Sequence, residues 1–181
     1  MTLASTAAVA ALAAAPAFTL EQFDIHGATA RELRAQLNAL GPVGETGLRG
    51  DGYTHWRIAW TYDLDFRAGR CTAGNVHVTL EVRMTLPRWI PPPDAAPDLV
   101  TLWDQYSAAL REHEDGHYQI AIRAADDVRH ALGARPAGTD CRTLQGQLDD
   151  TANQILDDTR RRQADYDRDT DSGRAQGTRV L

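Results

Sequence analysis

The chain of 181 residues is long enough for one domain with a sizeable core and too short for two comfortable ones. Apolar residues make up 43% and charged residues 24%, which is ordinary for a globular protein. The net charge of -6 argues against a nucleic-acid-binding protein, because such proteins normally carry a basic face or stripe.

The first segment of the chain, residues 1–17, is rich in alanine and carries no charge. It ends in Ala15-Pro16-Ala17, which fits the small-residue pattern of a signal-peptidase site. The segment predicts a signal peptide and export to the periplasm or outside the cell, although the usual basic residues before the apolar run are missing. A helical or disordered extension is the alternative, and the run is too mildly apolar to predict a stable membrane span.

The next elements are one strand, one helix and two further strands. FTLEQFDIHG, residues 18–27, is typical of a short strand, and a capping box from Thr29 to Glu32 opens a helix with a leucine face. After a glycine-rich loop, HWRIAWTYDLDF (55–66) and NVHVTLEVRMTL (75–86) alternate between apolar and polar residues. This alternation predicts antiparallel strands with one covered face.

The second half of the chain is predicted to be helical. Pro87 and the prolines at 91–93 are expected to end the strands. A long helix then begins near residues 94–97 and ends at Gly133, and a second covers about 141–166. Strands followed by helices predict the α+β class: a small antiparallel sheet packed on the first long helix, with the second at the C-terminal side. The domain is expected over residues 18–177, with 178–181 as a tail.

The first long helix contains REHEDGHYQI, which carries the HExxH pattern. His113 and His117 lie four residues apart, so they project from one face of the helix and can share a metal ion. That face also carries the apolar positions, so both histidines are expected to point inward. Glu114 can take a proton from a water that the metal activates. The alternative is two buried histidines satisfied by hydrogen bonds, with Glu114 on a solvated edge.

A catalytic zinc site needs a third protein ligand. The extended HExxHxxGxxH form is absent, since position 123 is arginine, so this ligand must come from another segment. The candidates are acids of the second helix and the tail and one histidine of a strand, namely Asp157, Asp158, Asp169, Asp171 and His77.

Three further residues of interest lie in or near the motif. Gly116 costs about 1 kcal/mol inside a helix relative to alanine, which suggests that a strand or a substrate approaches closely there. Tyr118 and Tyr166 are both candidates for stabilising a developing oxyanion, and nothing in the sequence selects one of them.

The chain has two cysteines, Cys71 in the strand-rich half and Cys141 in the helical half. Two distant cysteines in an exported protein suggest a disulfide, and two separate buried thiols are the alternative. Thiol catalysis has little support, because no CxxC pattern and no cysteine beside a histidine occur.

Several segments together resemble a bacterial family of predicted secreted zinc-dependent proteases, formally a domain of unknown function. They are YTHWRIAWTYD, LPRW, WDQYSAALREHEDGHYQIA and YDRDTDSGRAQG, and the resemblance extends over about residues 18–177. It implies a zincin-like fold, export, a Cys71–Cys141 disulfide and zinc-dependent peptide hydrolysis. Where the family's tail reads Thr-x-His-Gly, this chain has Ser172 in place of the histidine. If that histidine is the family's third ligand, Asp169 or Asp171 could substitute, or the site is weakened.

These observations predict an exported Zn²⁺-dependent metallopeptidase that acts on a peptide or protein substrate. His113 and His117 are the predicted metal ligands, and Glu114 is the predicted general base. The strand over 75–86 is predicted to be a sheet edge that binds an extended substrate by strand addition. One alternative is a non-catalytic envelope or binding protein that keeps the fold, with or without the metal. Another is a metal-dependent hydrolase that cleaves a non-peptide bond, such as an amide of the cell wall.

Overall fold

The computed structural model describes residues 16–45, 47–134 and 137–178. The predicted signal peptide therefore lies almost entirely outside the described residues, as does most of the tail. The elements in chain order are β1 (Ala17–His26), α1 (Ala30–Leu40), β2 (Tyr53–Arg67), β3 (Arg70–Ile90), α2 (Pro97–Gly133), α3 (Cys141–Asp169) and a short 3₁₀ turn (Arg174–Gln176). The predicted α+β class is confirmed.

The three strands form one sheet in the order β1-β3-β2. β2 and β3 are antiparallel, as predicted, but β1 pairs with β3 in parallel, so the sheet is mixed and the prediction of an antiparallel sheet was wrong. Alternation shows which face of a strand is covered and carries no information about the direction of its partner. Because β3 is the central strand, the prediction that residues 75–86 form a substrate-binding edge was also wrong.

The boundaries of β3 differ from the prediction at both ends. Ala68 and Gly69 form a two-residue turn with φ angles of 49° and 75°, so that β3 already includes Cys71. At the other end β3 continues through Pro87 to Ile90. Beyond Thr85 the described pairing of β3 is with β1 alone, and a proline is tolerated where one side of a strand has no partner.

α2 lies across the sheet, and its apolar stripe is buried as predicted. Two apolar clusters follow one another along this helix. The α1-end core lies between the first half of α2, α1 and the end of β3, and the disulfide-end core lies between the second half of α2, α3 and the β2–β3 hairpin. Leu110 belongs to the first and Ala121 to the second, so the HEDGH segment lies where the two cores meet.

A disulfide joins Cys71 of β3 to Cys141 at the start of α3, as expected, with the two Cα atoms 5.1 Å apart. The backbones of Cys71 and Gly138 also exchange two hydrogen bonds beside it. Closing a loop of 70 residues stabilises the fold by roughly 4 kcal/mol in the chain-entropy model. Among the described residues, no helix has the length and apolar character that crossing a bilayer requires.

Candidate metal centre

The two histidines of the HExxH motif on α2 face α3, with their rings close together. His113 is 4% exposed, and the side chain of His117 is 12% exposed. Their Nε2 atoms are 3.2 Å apart, and the rings are nearly perpendicular. Because they are four residues apart on one helix, the two side chains converge on one point, as the sequence predicted.

The third group at this point is Asp167, near the end of α3. Its Oδ1 lies 3.3 Å from Nε2 of His113 and 3.1 Å from Nε2 of His117. Within the described part of the chain, these three residues are the one group of histidines, cysteines and acids arranged to hold a metal ion. Sequence reasoning missed Asp167.

The five residues predicted as candidates for the third ligand do not belong to this cluster. Each candidate acid forms an ion pair with an arginine of its own helix or turn: Asp157 with Arg160, Asp158 with Arg161, Asp169 with Arg168 and Asp171 with Arg174. His77 is exposed on β3.

The register of α3 contains the signal that would have selected Asp167. Eleven residues make just over three helical turns, so Asp167 lies nearly in line with the buried Leu156. Asp157 and Asp158 are rotated by about 100° and 200° from Leu156, which turns them away from α2. Extending the apolar stripe past its last leucine therefore leads to the acid that meets the histidines.

The three converging atoms match the donor set of zinc in both chemistry and spacing. Zinc binds imidazole nitrogen and carboxylate oxygen at about 2.0–2.2 Å, which places neighbouring ligand atoms of a tetrahedral site roughly 3.3 Å apart. The observed separations of 3.2, 3.3 and 3.1 Å are close to this value. Three protein ligands leave a fourth coordination position for water or substrate, as in catalytic zinc sites.

Glutamine side chains contact the other nitrogen of each ring. Nδ1 of His117 is 2.5 Å from Oε1 of Gln163, and Nδ1 of His113 is 3.0 Å from Oε1 of Gln176. The hydroxyl of Thr170 lies 3.4 Å from the same atom of His113. Neither glutamine was predicted, because a glutamine on a polar helix or tail has no sequence signature of its own.

The electrostatics of the cluster favour a cation. Burial opposes a charge on His117, but its bonds to Asp167 and Gln163 outweigh burial and raise the pKa of the imidazole. Burial would raise the pKa of Asp167, yet the bonds from His113 and His117 prevail and hold it far below its usual range. Asp167 is therefore a carboxylate, and its charge favours a cation between these groups, for which a proton and a metal ion would compete.

Glu114 lies on the sheet side of the motif. It is 4% exposed, its Oε2 accepts a 2.7 Å hydrogen bond from the hydroxyl of Thr54 on β2, and its side chain packs against Gly52. A Cβ atom at Gly52 would lie 2.8 Å from Oε1 of Glu114, so a larger residue has no room there. Burial raises the pKa of Glu114, and the Thr54 hydroxyl partly opposes the rise. The alternative that placed Glu114 on a solvated edge is thus excluded.

The close neighbour of Gly116 is an aromatic side chain, not the strand or substrate that the sequence suggested. The ring of Tyr166 lies over it, and a Cβ atom at Gly116 would be 2.1 Å from the tyrosine oxygen. Tyr166 stacks on His113 and meets His117 edge-on, so it forms one wall of the cluster. Tyr118 instead packs against Phe18 of β1.

The turn after α3 closes over His113. Gly173 has a φ of 81° and packs against the ring, and a Cβ atom there would be 3.1 Å from Cγ of His113. Ser172 is exposed, has a φ of 51°, and donates its backbone N–H to the carbonyl oxygen of Asp167. The residue that stands in place of the expected histidine therefore helps to form the turn that follows Asp167.

Comparison with known proteins gives one family. The sequence profile described as "Bacterial protein of unknown function (DUF922)" matches residues 20–174, a range that contains the two histidines, Glu114 and Asp167. No curated protein and no solved structure matches the chain. Because the profile covers most of the sequence, the chain belongs to the bacterial family of unknown function DUF922.

Proposed function

We propose that the protein is an exported zinc-dependent metallopeptidase with a zincin-like domain. The observation that carries this proposal is the convergence of three ligand atoms, from His113, His117 and Asp167, within 3.3 Å of one another. The disulfide supports export, because such bonds form and persist in oxidising compartments.

Zinc fits the donor set better than magnesium or calcium does. Two imidazoles and one carboxylate are typical ligands of catalytic zinc, whereas magnesium and calcium prefer oxygen alone. When bound, the ion supplies a Lewis acid that polarises a carbonyl group and lowers the pKa of a water molecule. The remaining chemistry belongs to residues of the chain.

Glu114 is the proposed general base. It is adjacent to His113 in the sequence, and the hydroxyl of Thr54 fixes one carboxyl oxygen while the other faces Gly52. A carboxyl whose pKa is raised by burial is suited to accept a proton from water and pass it to the leaving amine near neutral pH. Thr54 is thus proposed to orient the base.

The free edge of β2 is the proposed binding site for an extended peptide. Among the described strands β2 pairs with β3 alone, and its second residue, Thr54, bonds to Glu114. A peptide added along this edge would run beside the general base, with backbone hydrogen bonds holding the chain extended.

A second function is favoured by the burial of Glu114. A carboxyl that is 4% exposed and tied to Thr54 suits a structural group as well as a base. In that case the chain is a non-catalytic envelope or binding protein that retains the fold and the metal.

Turnover of casein or a peptide library by zinc-loaded protein separates the two functions. We expect hydrolysis by the native chain and a loss of about 10²- to 10⁴-fold in Glu114→Gln, with zinc retained, because the base is lost and the ligands are kept. Glu112→Gln is the matched control, since Glu112 is exposed on the same helix. Bound zinc without turnover on any substrate would overturn the peptidase and leave the binding protein.

A further inference from the structure

Each proposed ligand histidine is held at its far nitrogen by a glutamine from a different segment. Gln163 belongs to α3 and reaches His117, whereas Gln176 belongs to the 3₁₀ turn and reaches His113. The two contacts use the same pair of atoms, imidazole Nδ1 and amide Oε1.

Each amide makes a second hydrogen bond, and that of Gln163 fixes its orientation because a carbonyl oxygen can only accept. The Nε2 group of Gln163 donates to the backbone carbonyl of His117 at 3.1 Å, so this glutamine is hydrogen-bonded to both the ring and the backbone of His117. The Nε2 group of Gln176 donates to the hydroxyl oxygen of Tyr166 at 3.0 Å. In each case the amide nitrogen is occupied, and the amide oxygen is the atom that faces the ring.

An amide oxygen can only accept a hydrogen bond, so each facing Nδ1 must carry the proton. A neutral imidazole with its proton on Nδ1 has its lone pair on Nε2. Both lone pairs then point at the place where Oδ1 of Asp167 also lies. Acceptors that face one another without a proton repel, and a cation between them removes the repulsion.

We propose that Gln163 and Gln176 are positioning residues that set the tautomer and ring orientation of His117 and His113 for metal binding. This inference rests on the proposed metal site and adds to it two groups that touch no metal. The two are not equivalent, because His113 keeps the hydroxyl of Thr170 as a second contact, 3.4 Å from Nδ1. Loss of Gln163 therefore has the larger effect.

Titration of the metal-stripped protein with Zn²⁺ against a chromophoric chelator tests this. Gln163→Leu should weaken Zn²⁺ binding about 10- to 100-fold, and Gln176→Leu by less. Gln163→Glu should restore affinity, because a carboxylate oxygen still accepts from Nδ1. Gln154→Leu is the matched control, since Gln154 is exposed on the same helix, and it should leave affinity unchanged.

Two further readouts separate positioning from a general loss of structure. The visible absorption of Co²⁺ bound in place of zinc should change in Gln163→Leu and return towards that of the native protein in Gln163→Glu. Both Gln163→Glu and Gln163→Leu lose the hydrogen bond to the carbonyl of His117, so the thermal midpoint of the metal-free protein should fall in both, whereas Zn²⁺ affinity should fall only in Gln163→Leu. Native Zn²⁺ affinity in both leucine variants would overturn the role of the glutamines and leave the metal site standing. Absence of Zn²⁺ binding by the native chain would overturn both.

Discussion

The seam between α2 and α3 has two halves with opposite chemistry. In the first half of α3, Leu144, Leu148, Ala152 and Leu156 pack into the disulfide-end core. In the second half the same face of the helix carries Thr159, Gln163, Tyr166 and Asp167, and these lie by the two histidines. One continuous helix thus changes from apolar contact to polar contact without changing its partner.

The difference shows what each half needs. The apolar half is stabilised by burial, since the four side chains that pack into the core carry no polar group. The polar half buries two imidazoles and half-buries a carboxylate, which is unfavourable unless each is paired. A cation at the proposed metal site would be one such partner. The first half therefore contributes most to stability, and the second half carries the proposed binding site.

Truncation in the apolar half should give the largest loss of stability. Leu148 is 2% exposed, so Leu148→Ala should lower the free energy of unfolding by about 2–5 kcal/mol through lost burial and a cavity. Urea denaturation of metal-free protein measures this change. Zinc affinity of the folded variant should equal that of the native chain, and a matching loss of affinity would show that the halves are coupled.

Asp167→Asn in the polar half should instead act mainly on zinc affinity. It removes the charged ligand and keeps the shape, so zinc affinity should fall by more than about 100-fold, or roughly 3 kcal/mol. The free energy of unfolding of the metal-free protein should also fall, because the lowered pKa of Asp167 means that its charge stabilises the folded state beside the two histidines. Asp165→Asn is the control, because Asp165 is exposed on the same helix and pairs with Arg168. Equal zinc affinity in Asp167→Asn and Asp165→Asn would rule out Asp167 as a ligand.

Gly116→Ala tests the packing of the polar half. The new methyl group would lie 2.1 Å from the oxygen of Tyr166, so the ring must leave its place against the histidines. Despite a gain in helix propensity, we expect a net loss of about 1–3 kcal/mol in the free energy of unfolding. Thermal and urea unfolding measure it, and a stabilised variant would contradict the close contact.

Gly146→Ala is the same substitution in the apolar half. A Cβ atom at Gly146 meets nothing within 4 Å, so helix propensity alone decides the result. The free energy of unfolding should rise by about 0.5–1 kcal/mol. One urea series should show that the free energy of unfolding falls in Gly116→Ala and rises in Gly146→Ala, which would support the difference between the halves. A change in the same direction in both variants would contradict that difference.

Local patterns in the sequence were sufficient to predict much of the fold. The alternation around Trp56 and Val78, the stripe of α2 and the cap at Thr29 each involve residues a few positions apart, so periodicity reveals them. The inward direction of His113 and His117 follows from the same rule. The disulfide followed from having two cysteines, together with the family resemblance.

The rest depends on contacts between distant segments. Nothing in FTLEQFDIHG states that this strand pairs in parallel with β3, because direction is set by the connection through α1 and β2. The sequence also does not show that α3, the 3₁₀ turn and β2 each place a polar side chain beside the motif, namely Gln163, Gln176 and Thr54. Asp167 is the instructive case, since the register of α3 did point to it once the stripe was extended beyond Leu156.

Anomalous diffraction at the zinc absorption edge, from crystals of zinc-loaded protein, would show directly whether His113, His117 and Asp167 hold the metal. One peak is expected about 2.0–2.2 Å from Nε2 of His113, Nε2 of His117 and Oδ1 of Asp167. A peak bound elsewhere, or no peak while Asp167 remains hydrogen-bonded to a protonated His117, would contradict it.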